Sequence, residues 1–179
     1  FVAIGALEKK IIDPTKNIFS SGQLVVPNPY DKDKPSIFKD WKAHGYVDMR
    51  EAIAVSSNVY FYQISGGFEG QPGLGISNIE KYLRLFGFGS KTGIDFTTDL
   101  EGVIPNPEWK KLVFDGDTWR IGDTYNTAIG QYGVQITPIQ ALKAISAIAN
   151  DGNIIIPKIL KTDENSSNLQ KIEKIFSIF

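Results

Sequence analysis

The apolar positions of the chain predict helices separated by long, turn-rich segments. Apolar residues recur at helical spacing in several windows, whereas two short apolar runs are typical of strands. The predicted helices cover residues 1–12, a pair of helices on either side of residues 56–58, 77–86, 137–149 and 169–179, and the predicted strands cover 23–26 and 154–156. This order, without an internal repeat, predicts one α+β domain that is mostly helical.

Two of these helices begin with capping signatures. Thr137 is the predicted N-cap of the clearest helix, Pro138 is its first residue, and Gln140 completes a capping box. Ser77 and Glu80 predict a second capping box. The apolar face expected for the helix after Thr137 comprises Ile139, Leu142, Ile145, Ile148 and Ala149.

Residues 13–45 and 90–123 are rich in proline, glycine and aspartate and are predicted to be largely irregular. Long connections inside a compact domain usually serve a site or are partly mobile. The last predicted helix places four apolar residues on one face: Leu169, Ile172, Ile175 and Phe176.

A polar triplet, Ser56-Ser57-Asn58, interrupts the apolar and aromatic run 52–62. These side chains compete with the backbone for hydrogen bonds, so a helix selected only for stability would not contain them. One interpretation is a junction of two helices, with Ser57 or Asn58 as the cap of the second. The other is the Ser-x-Asn element of serine acyl-enzymes. The triplet alone does not decide between them.

Composition excludes several classes of protein. The 179 residues are 42% hydrophobic and 22% charged, with a net charge of −1, so no basic surface indicates nucleic-acid binding. The chain has no cysteine, which excludes disulfides and thiolate metal sites. No apolar run reaches the roughly 20 residues of a membrane span. Both ends fall within apolar helical patterns, and we therefore expect a fragment of a longer domain.

Two further stretches imitate the other acyl-serine motifs, but their contexts differ from those that the chemistry needs. Ser36 and Lys39 have the Ser-x-x-Lys spacing, yet they lie in a charged segment after Pro35 rather than at the start of a buried helix. A solvated lysine there would stay charged and would be a poor general base. Residues 91–93 read Lys-Thr-Gly, but they follow a glycine-rich helix stop rather than forming an inner strand.

No metal site or cofactor is predicted. His44 lies four residues after Asp40, but Gly45 interrupts any helix and no second histidine or cysteine is present, so a surface turn is the favoured interpretation. Asp115, Asp117 and Asp123 lack the remaining oxygen ligands of a calcium loop and are interpreted as turn residues.

Ten stretches of the chain are considered together: residues 1–7, 40–45, 49–62, 92–95, 101–102, 107–110, 122–124, 128–131, 137–140 and 150–152. These stretches resemble the transpeptidase domain of class B penicillin-binding proteins, most closely the elongation type called penicillin-binding protein 2. They cover about residues 1–160 in the family's order. One departure is the sequence Gly130-Gln131-Tyr132-Gly133, where the family usually has Gly-Gln-Gly.

The resemblance implies a penicillin-binding protein/β-lactamase-like fold that is incomplete at both ends, with residues 1–179 as its central part. Ser56 and Asn58 are the catalytic residues that it carries over: the serine hydroxyl relays a proton towards the leaving amine, and the asparagine holds the substrate amide and the general-base lysine. The nucleophilic serine and its lysine are then expected before Phe1, and the third motif after Phe179. Thr92-Gly93 belongs to the family's Thr-Gly-Ile-Asp loop. The isolated chain is expected to be inactive.

The resemblance further implies a peptidoglycan D,D-transpeptidase that cross-links stem peptides through a serine acyl-enzyme during elongation and is acylated by β-lactam antibiotics. Its expected partners are cell-elongation membrane proteins, and its expected location is the periplasmic face of the bacterial inner membrane, with an anchor outside this chain. Two alternatives stay open: a non-catalytic remnant or binding module of the same fold, and a β-lactamase or β-lactam sensor.

Overall fold

The computed structural model describes residues 1–28, 30–96 and 98–159, together with the backbone of Leu169–Lys171. Seven helices and six short strands occur in these residues. In chain order they are α1 Val2–Glu8, β1 Ile18–Ser20, β2 Gln23–Val26, β3 Ser36–Lys39, β4 Gly45–Val47, α2 Met49–Ala54, α3 Asn58–Gly66, α4 Ile76–Leu85, α5 Pro107–Val113, α6 Ile121–Ala128, α7 Pro138–Ala149, β5 Asn153–Ile155 and β6 Leu169–Lys171.

The helix α3 lies at the centre of the packing. Its Tyr60 and Ile64 are fully buried and join a cluster with α1 and α4. On another face, Tyr62 packs against Tyr125 of α6. Gly66 allows this close approach, because a Cβ at that position would overlap the Tyr125 ring. The helix α3, which begins directly after Ser57, is therefore anchored in the interior of the domain.

The segment 13–45 contains more regular structure than its turn-rich sequence predicts. The strand β2 was predicted, but β1, β3 and β4 were not. The strands form two antiparallel pairs, β1 with β4 and β2 with β3. Strands of three or four residues carry too short an alternation of apolar and polar side chains to be recognised without their partners.

Two other local predictions need correction. The helix α4 starts one residue before Ser77, its N-cap is Gly75, and no side chain caps it, so the predicted box of Ser77 and Glu80 is wrong. Glu80 instead accepts hydrogen bonds from Arg84 Nε at 2.8 Å and Asn106 Nδ2 at 2.9 Å. Asn106 is the N-cap of the unpredicted helix α5, where its Oδ1 accepts from Trp109 N at 2.7 Å.

The capping signature of α7 is confirmed, but its predicted buried face is wrong. Thr137 and Gln140 form the reciprocal capping box, with Pro138 in the first turn. The buried residues are Gln140, Ala144 and Ala147. The expected apolar face is largely exposed, with Leu142 at 59% and Ile145 at 57%. Ala144 and Ala147 pack into a buried cluster of aromatic and aliphatic side chains, and the Gln140 side chain donates to loop carbonyl oxygens, which selects this face.

The end of the described chain also differs from the prediction. The strand β5 begins at Asn153, and of its isoleucines only Ile154 is buried, so the predicted buried strand 154–156 holds only in part. Leu169–Lys171 pairs with β5 as an antiparallel strand, rather than beginning the predicted helix. Residues 172–179 of that predicted helix lie outside the described residues.

Candidate active site

The Ser56–Asn58 turn joins α2 to α3, as the junction interpretation predicts. Ser56 is exposed and has a φ of +55°, in the left-handed region that residues with a side chain rarely adopt. Such a conformation costs about 1 kcal/mol or more and persists only where the surrounding structure imposes it. The turn therefore presents the Ser56 side chain to solvent from a backbone that its neighbours hold in a strained conformation.

Ser57 supplies the anchor of this turn. It is fully buried, and its Oγ caps α3 by accepting a hydrogen bond from Tyr60 N at 3.3 Å. The same Oγ lies 3.0 Å from Oδ2 of Asp40 and 3.0 Å from Oγ of Ser20. Ser57 is therefore structural, and its role as the spacer between Ser56 and Asn58 agrees with its burial.

Asn58 is the first residue of α3 and is half-buried. Its Nδ2 donates to the carbonyl oxygen of Lys39 at 3.4 Å, and Tyr62 Oη donates to the same oxygen at 3.2 Å. The end of β3 therefore orients the Asn58 amide. Ser56 and Asn58 lie on one short turn, and their catalytic roles remain predictions.

The side chains of Asp40 and His44 are buried while residues 41–43 between them are exposed, so the interpretation as a surface turn holds only in part. The exposed fractions of the two side chains are 0% and 2%. His44 Nε2 lies 3.6 Å from Asp40 Oδ1, beyond hydrogen-bonding distance, and the His44 ring packs edge-on against Trp41. Among the described residues, no group of three or more histidine, aspartate or glutamate side chains could hold a metal ion.

The two stretches that imitate catalytic motifs lie in contexts unsuited to that chemistry. Ser36–Lys39 is the strand β3, and both Ser36 and Lys39 are exposed. In a strand, residues three apart point to opposite faces, so this lysine cannot act on this serine. Lys91 is exposed in a loop, and Gly93 has a φ of +78°, which is not the conformation of an inner strand.

The loop that carries Thr92 and Gly93 forms hydrogen bonds within itself and with α7. Asp99 accepts from Thr92 Oγ1 at 3.0 Å and from Gly93 N at 2.8 Å. The buried Gln140 side chain donates to the carbonyl oxygens of Ser90 at 2.7 Å and Glu101 at 2.8 Å. These contacts explain why a polar residue occupies the buried face of α7, a feature that the sequence pattern did not reveal.

A buried lysine organises the segment between α5 and α7. The Lys110 side chain is only 3% exposed, and its Nζ lies 2.6 Å from Asp123 Oδ2 and 3.2 Å from Asp117 Oδ2. Burial would lower the pKa of Lys110, but hydrogen bonds to the two carboxylates outweigh it and raise that pKa. Asp117 and Asp123 are therefore ion-pair partners, a role that their interpretation as turn residues missed.

The Lys110 ammonium lies over the ring of Tyr132, 5.8 Å from its centroid, at the point where the sequence departs from the family's Gly-Gln-Gly. The φ of Tyr132 is +57°, a conformation that favours glycine. Its ring stacks on Phe114 at 6.1 Å and meets Trp109 and Trp119 edge-on. Aromatic packing therefore holds the strained residue in place.

The sequence matches the family described as the penicillin binding protein transpeptidase domain over residues 1–176. It is 35% identical to the peptidoglycan D,D-transpeptidase MrdA of Acinetobacter baumannii over 161 residues, which are 89% of this chain and 22% of that protein. It is 34% identical to MrdA of Haemophilus influenzae over 168 residues, which are 93% of this chain and 24% of that protein. The chain thus spans less than a quarter of these curated relatives.

Solved structures of penicillin-binding proteins are similar to this chain in fold. A complex between penicillin-binding protein 2 and MreC from Helicobacter pylori aligns with a TM-score of 0.80 and 32% identity, covering 96% of this chain and 29% of that one. Penicillin-binding protein 2 of Pseudomonas aeruginosa in complex with WCK 5153 aligns with a TM-score of 0.78 and 32% identity, covering 90% and 34%. No helix among the described residues is long and apolar enough to cross a membrane. By its sequence match and its fold, the chain belongs to the penicillin-binding protein transpeptidase domain family.

Proposed function

We propose that the chain is the central part of the transpeptidase domain of a peptidoglycan D,D-transpeptidase that acts in cell elongation. The observation that carries the proposal is the Ser56–Asn58 turn, because a strained backbone presents Ser56 to solvent while β3 orients the Asn58 amide. Strained residues cluster at active sites, where the surrounding structure maintains them. The roles expected for Ser56 and Asn58, proton relay and substrate positioning, come from membership of the family.

In the proposed reaction, a serine outside this chain attacks the carbonyl carbon between the two D-alanines of a stem peptide. Its proton passes to the general-base lysine as the tetrahedral intermediate forms. Ser56 relays a proton to the departing amine of D-alanine when the C–N bond breaks, and Asn58 holds the substrate amide. An amine of a neighbouring stem peptide then attacks the ester, and the serine recovers its proton. A β-lactam acylates the same serine and stays bound.

The proposal extends to the setting of the whole protein. We place it on the periplasmic face of the bacterial inner membrane, anchored by a segment outside this chain, with cell-elongation membrane proteins as partners. The support for this setting comes from related proteins. The relatives named MrdA are peptidoglycan D,D-transpeptidases, and the related H. pylori protein forms a complex with MreC.

The test uses the full-length protein encoded by the reading frame that contains this sequence. Mass spectrometry after labelling with a fluorescent penicillin should find one acylated serine, in the segment before Phe1. Ser56→Ala and Asn58→Ala should each lower the second-order acylation rate constant by about 100-fold or more, because proton relay and substrate positioning contribute at that scale.

Matched controls separate these losses from general damage. Ser36→Ala removes another exposed serine, and Asn78→Ala removes an amide that likewise donates to a backbone carbonyl oxygen, at 2.8 Å from that of Leu74. Both should leave the acylation rate constant unchanged. A folded full-length protein that takes no label would support the remnant alternative instead. Rapid hydrolysis of penicillin would support a β-lactamase, and an adduct on Ser36 would refute the interpretation of that motif.

A further inference from the structure

The middle residue of the Ser56–Asn58 turn is bonded to a carboxylate from a distant part of the chain. Asp40, between β3 and β4, precedes Ser57 by 17 residues. The Ser57 hydroxyl donates to Asp40 Oδ2 at 3.0 Å, and the Val59 backbone N–H donates to the same oxygen at 3.0 Å. One oxygen atom therefore binds the residues on both sides of Asn58, and the first of them adjoins Ser56.

Asp40 is itself held rigidly. Its backbone N–H donates to the carbonyl oxygen of Gly22 at 2.9 Å, its Oδ1 accepts from Trp41 N at 2.8 Å, and the Ser20 hydroxyl lies 3.3 Å from Oδ2. The side chain is fully buried. A buried carboxylate with fixed donors on both oxygens has little freedom to move, so its position defines the position of the groups bonded to it.

The carboxylate also completes the N-terminus of α3. The first N–H groups of a helix lack partners within the helix, and their partial positive charge attracts an anion. Here Val59 N binds Asp40, while Tyr60 N binds Ser57 Oγ at 3.3 Å. Burial would raise the pKa of Asp40, but the hydrogen bonds outweigh it and lower that pKa. The carboxylate therefore stays ionised near neutral pH.

Within the described residues, these donors are the principal compensation for the buried charge. No lysine or arginine pairs with Asp40 there, and His44 Nε2, at 3.6 Å from Oδ1, has no hydrogen-bond partner. The donors to this carboxylate include the Ser57 hydroxyl and the Val59 backbone N–H, which belong to the turn and the start of α3. A displaced turn would leave the carboxylate buried without these donors, and loss of the carboxylate would leave the turn without its acceptor. The adjacent residue Lys39 contributes its carbonyl oxygen to Asn58 Nδ2, so two consecutive residues hold both the backbone and the side chain of the turn.

We propose that Asp40 is a positioning residue for Ser56 and Asn58, acting through the Ser57 hydroxyl and the Val59 N–H. It does not touch substrate. Its loss should let the turn relax from the strained conformation at Ser56 and should rotate the Asn58 amide. Displacements of about 1 Å at a catalytic group can lower a rate by about 100-fold, so small movements suffice. This inference rests on the proposed transpeptidase function.

The test compares Asp40→Asn, Ser57→Ala and Asp99→Asn in the full-length protein. Asp99 is a matched control, since it too accepts from a hydroxyl and a backbone N–H, at 3.0 Å and 2.8 Å. Two quantities are measured: the second-order rate constant for acylation by a fluorescent penicillin, and the melting temperature. Asp40→Asn and Ser57→Ala should each lower the rate constant by about 10- to 100-fold. Asp99→Asn should lower the melting temperature without lowering the rate constant.

The double variant Asp40→Asn/Ser57→Ala adds a second readout. Because both changes break the bond between Asp40 and Ser57, the fold-loss in the double variant should be smaller than the product of the two single losses. A rate constant for Asp40→Asn no lower than that of Asp99→Asn would overturn the positioning role. If Asp40→Asn does not fold, the rate constant of Ser57→Ala decides, because this variant keeps both backbone N–H groups that donate to the Asp40 carboxylate. Absence of labelling in the wild-type protein would instead refute the proposed function.

Discussion

Removing Asp123, one partner of Lys110, should cost more stability than removing the lysine. The Lys110 ammonium is 3% exposed and lies 2.6 Å from Asp123 Oδ2. That oxygen also accepts from the backbone N–H of Arg120 at 2.7 Å. Asp123→Asn leaves the ammonium buried with Asp117 as its remaining carboxylate, whereas Lys110→Met removes the buried charge and fills its space with an apolar side chain.

The contacts of Lys110 determine how much each substitution should lower the free energy of unfolding. Breaking a fully buried ion pair costs about 3–5 kcal/mol. Here Asp117 stays 3.2 Å from Nζ, but it is 35% exposed and is shared with Arg120, so it compensates in part. We therefore expect Asp123→Asn to lower the free energy of unfolding by about 2–3 kcal/mol and the melting temperature by about 4–12 °C. Lys110→Met should cost about 1–2 kcal/mol, because the Asp123 carboxylate that it leaves without the lysine is 13% exposed and keeps the backbone N–H of Arg120 as a donor.

Urea unfolding followed by circular dichroism measures these changes. Asp115→Asn is the control, since it makes the same substitution in the same segment at an exposed residue whose φ of +49° asparagine tolerates. It should leave the free energy of unfolding unchanged. A larger loss for Lys110→Met than for Asp123→Asn would refute the argument that an unpaired buried charge dominates the energetics of this cluster.

Four further predictions concern single side chains. Tyr132→Gly should relieve about 1 kcal/mol of backbone strain but lose more in aromatic packing, for a net loss of about 2 kcal/mol in urea unfolding; a gain in stability would contradict this balance. Tyr60→Phe should leave stability unchanged or raise it, because the buried hydroxyl, whose pKa burial raises to about 12, has no hydrogen-bond partner among the described residues. Tyr125→Phe is its counterpart and should cost about 1 kcal/mol, since that hydroxyl donates to Gly67 O at 2.7 Å; equal effects would refute the comparison. Because the pKa of Asp40 is lowered on folding, its ionised form stabilises the protein above the ordinary carboxyl pKa of about 4, and this contribution is lost as pH falls through the lowered value. The stability difference between wild type and Asp40→Asn should therefore be present at neutral pH and shrink in acid, and a difference that grows in acid would exclude this linkage.

The sequence by itself determined the features that depend on neighbouring residues. The capping box of Thr137 and Gln140 forms within one helical turn, so its residues predict it directly. The junction at Ser57 is confirmed for the same reason. The family was identified from short stretches in a fixed order, and the sequence match and the fold confirm it. The candidate residues Ser56 and Asn58 came from that resemblance, not from periodicity.

Only the tertiary structure decided which side chains are buried and what they contact. The helix α7 has apolar residues on more than one face, and Gln140 is buried because it binds carbonyl oxygens of residues 90 and 101. The short strands of 13–45 exist through pairing with each other. No local pattern predicted the partner of Asp40, since Ser57 lies 17 positions away. Hydrogen bonds over such separations leave no local pattern, so the support of the Ser56–Asn58 turn became visible only when the chain was folded.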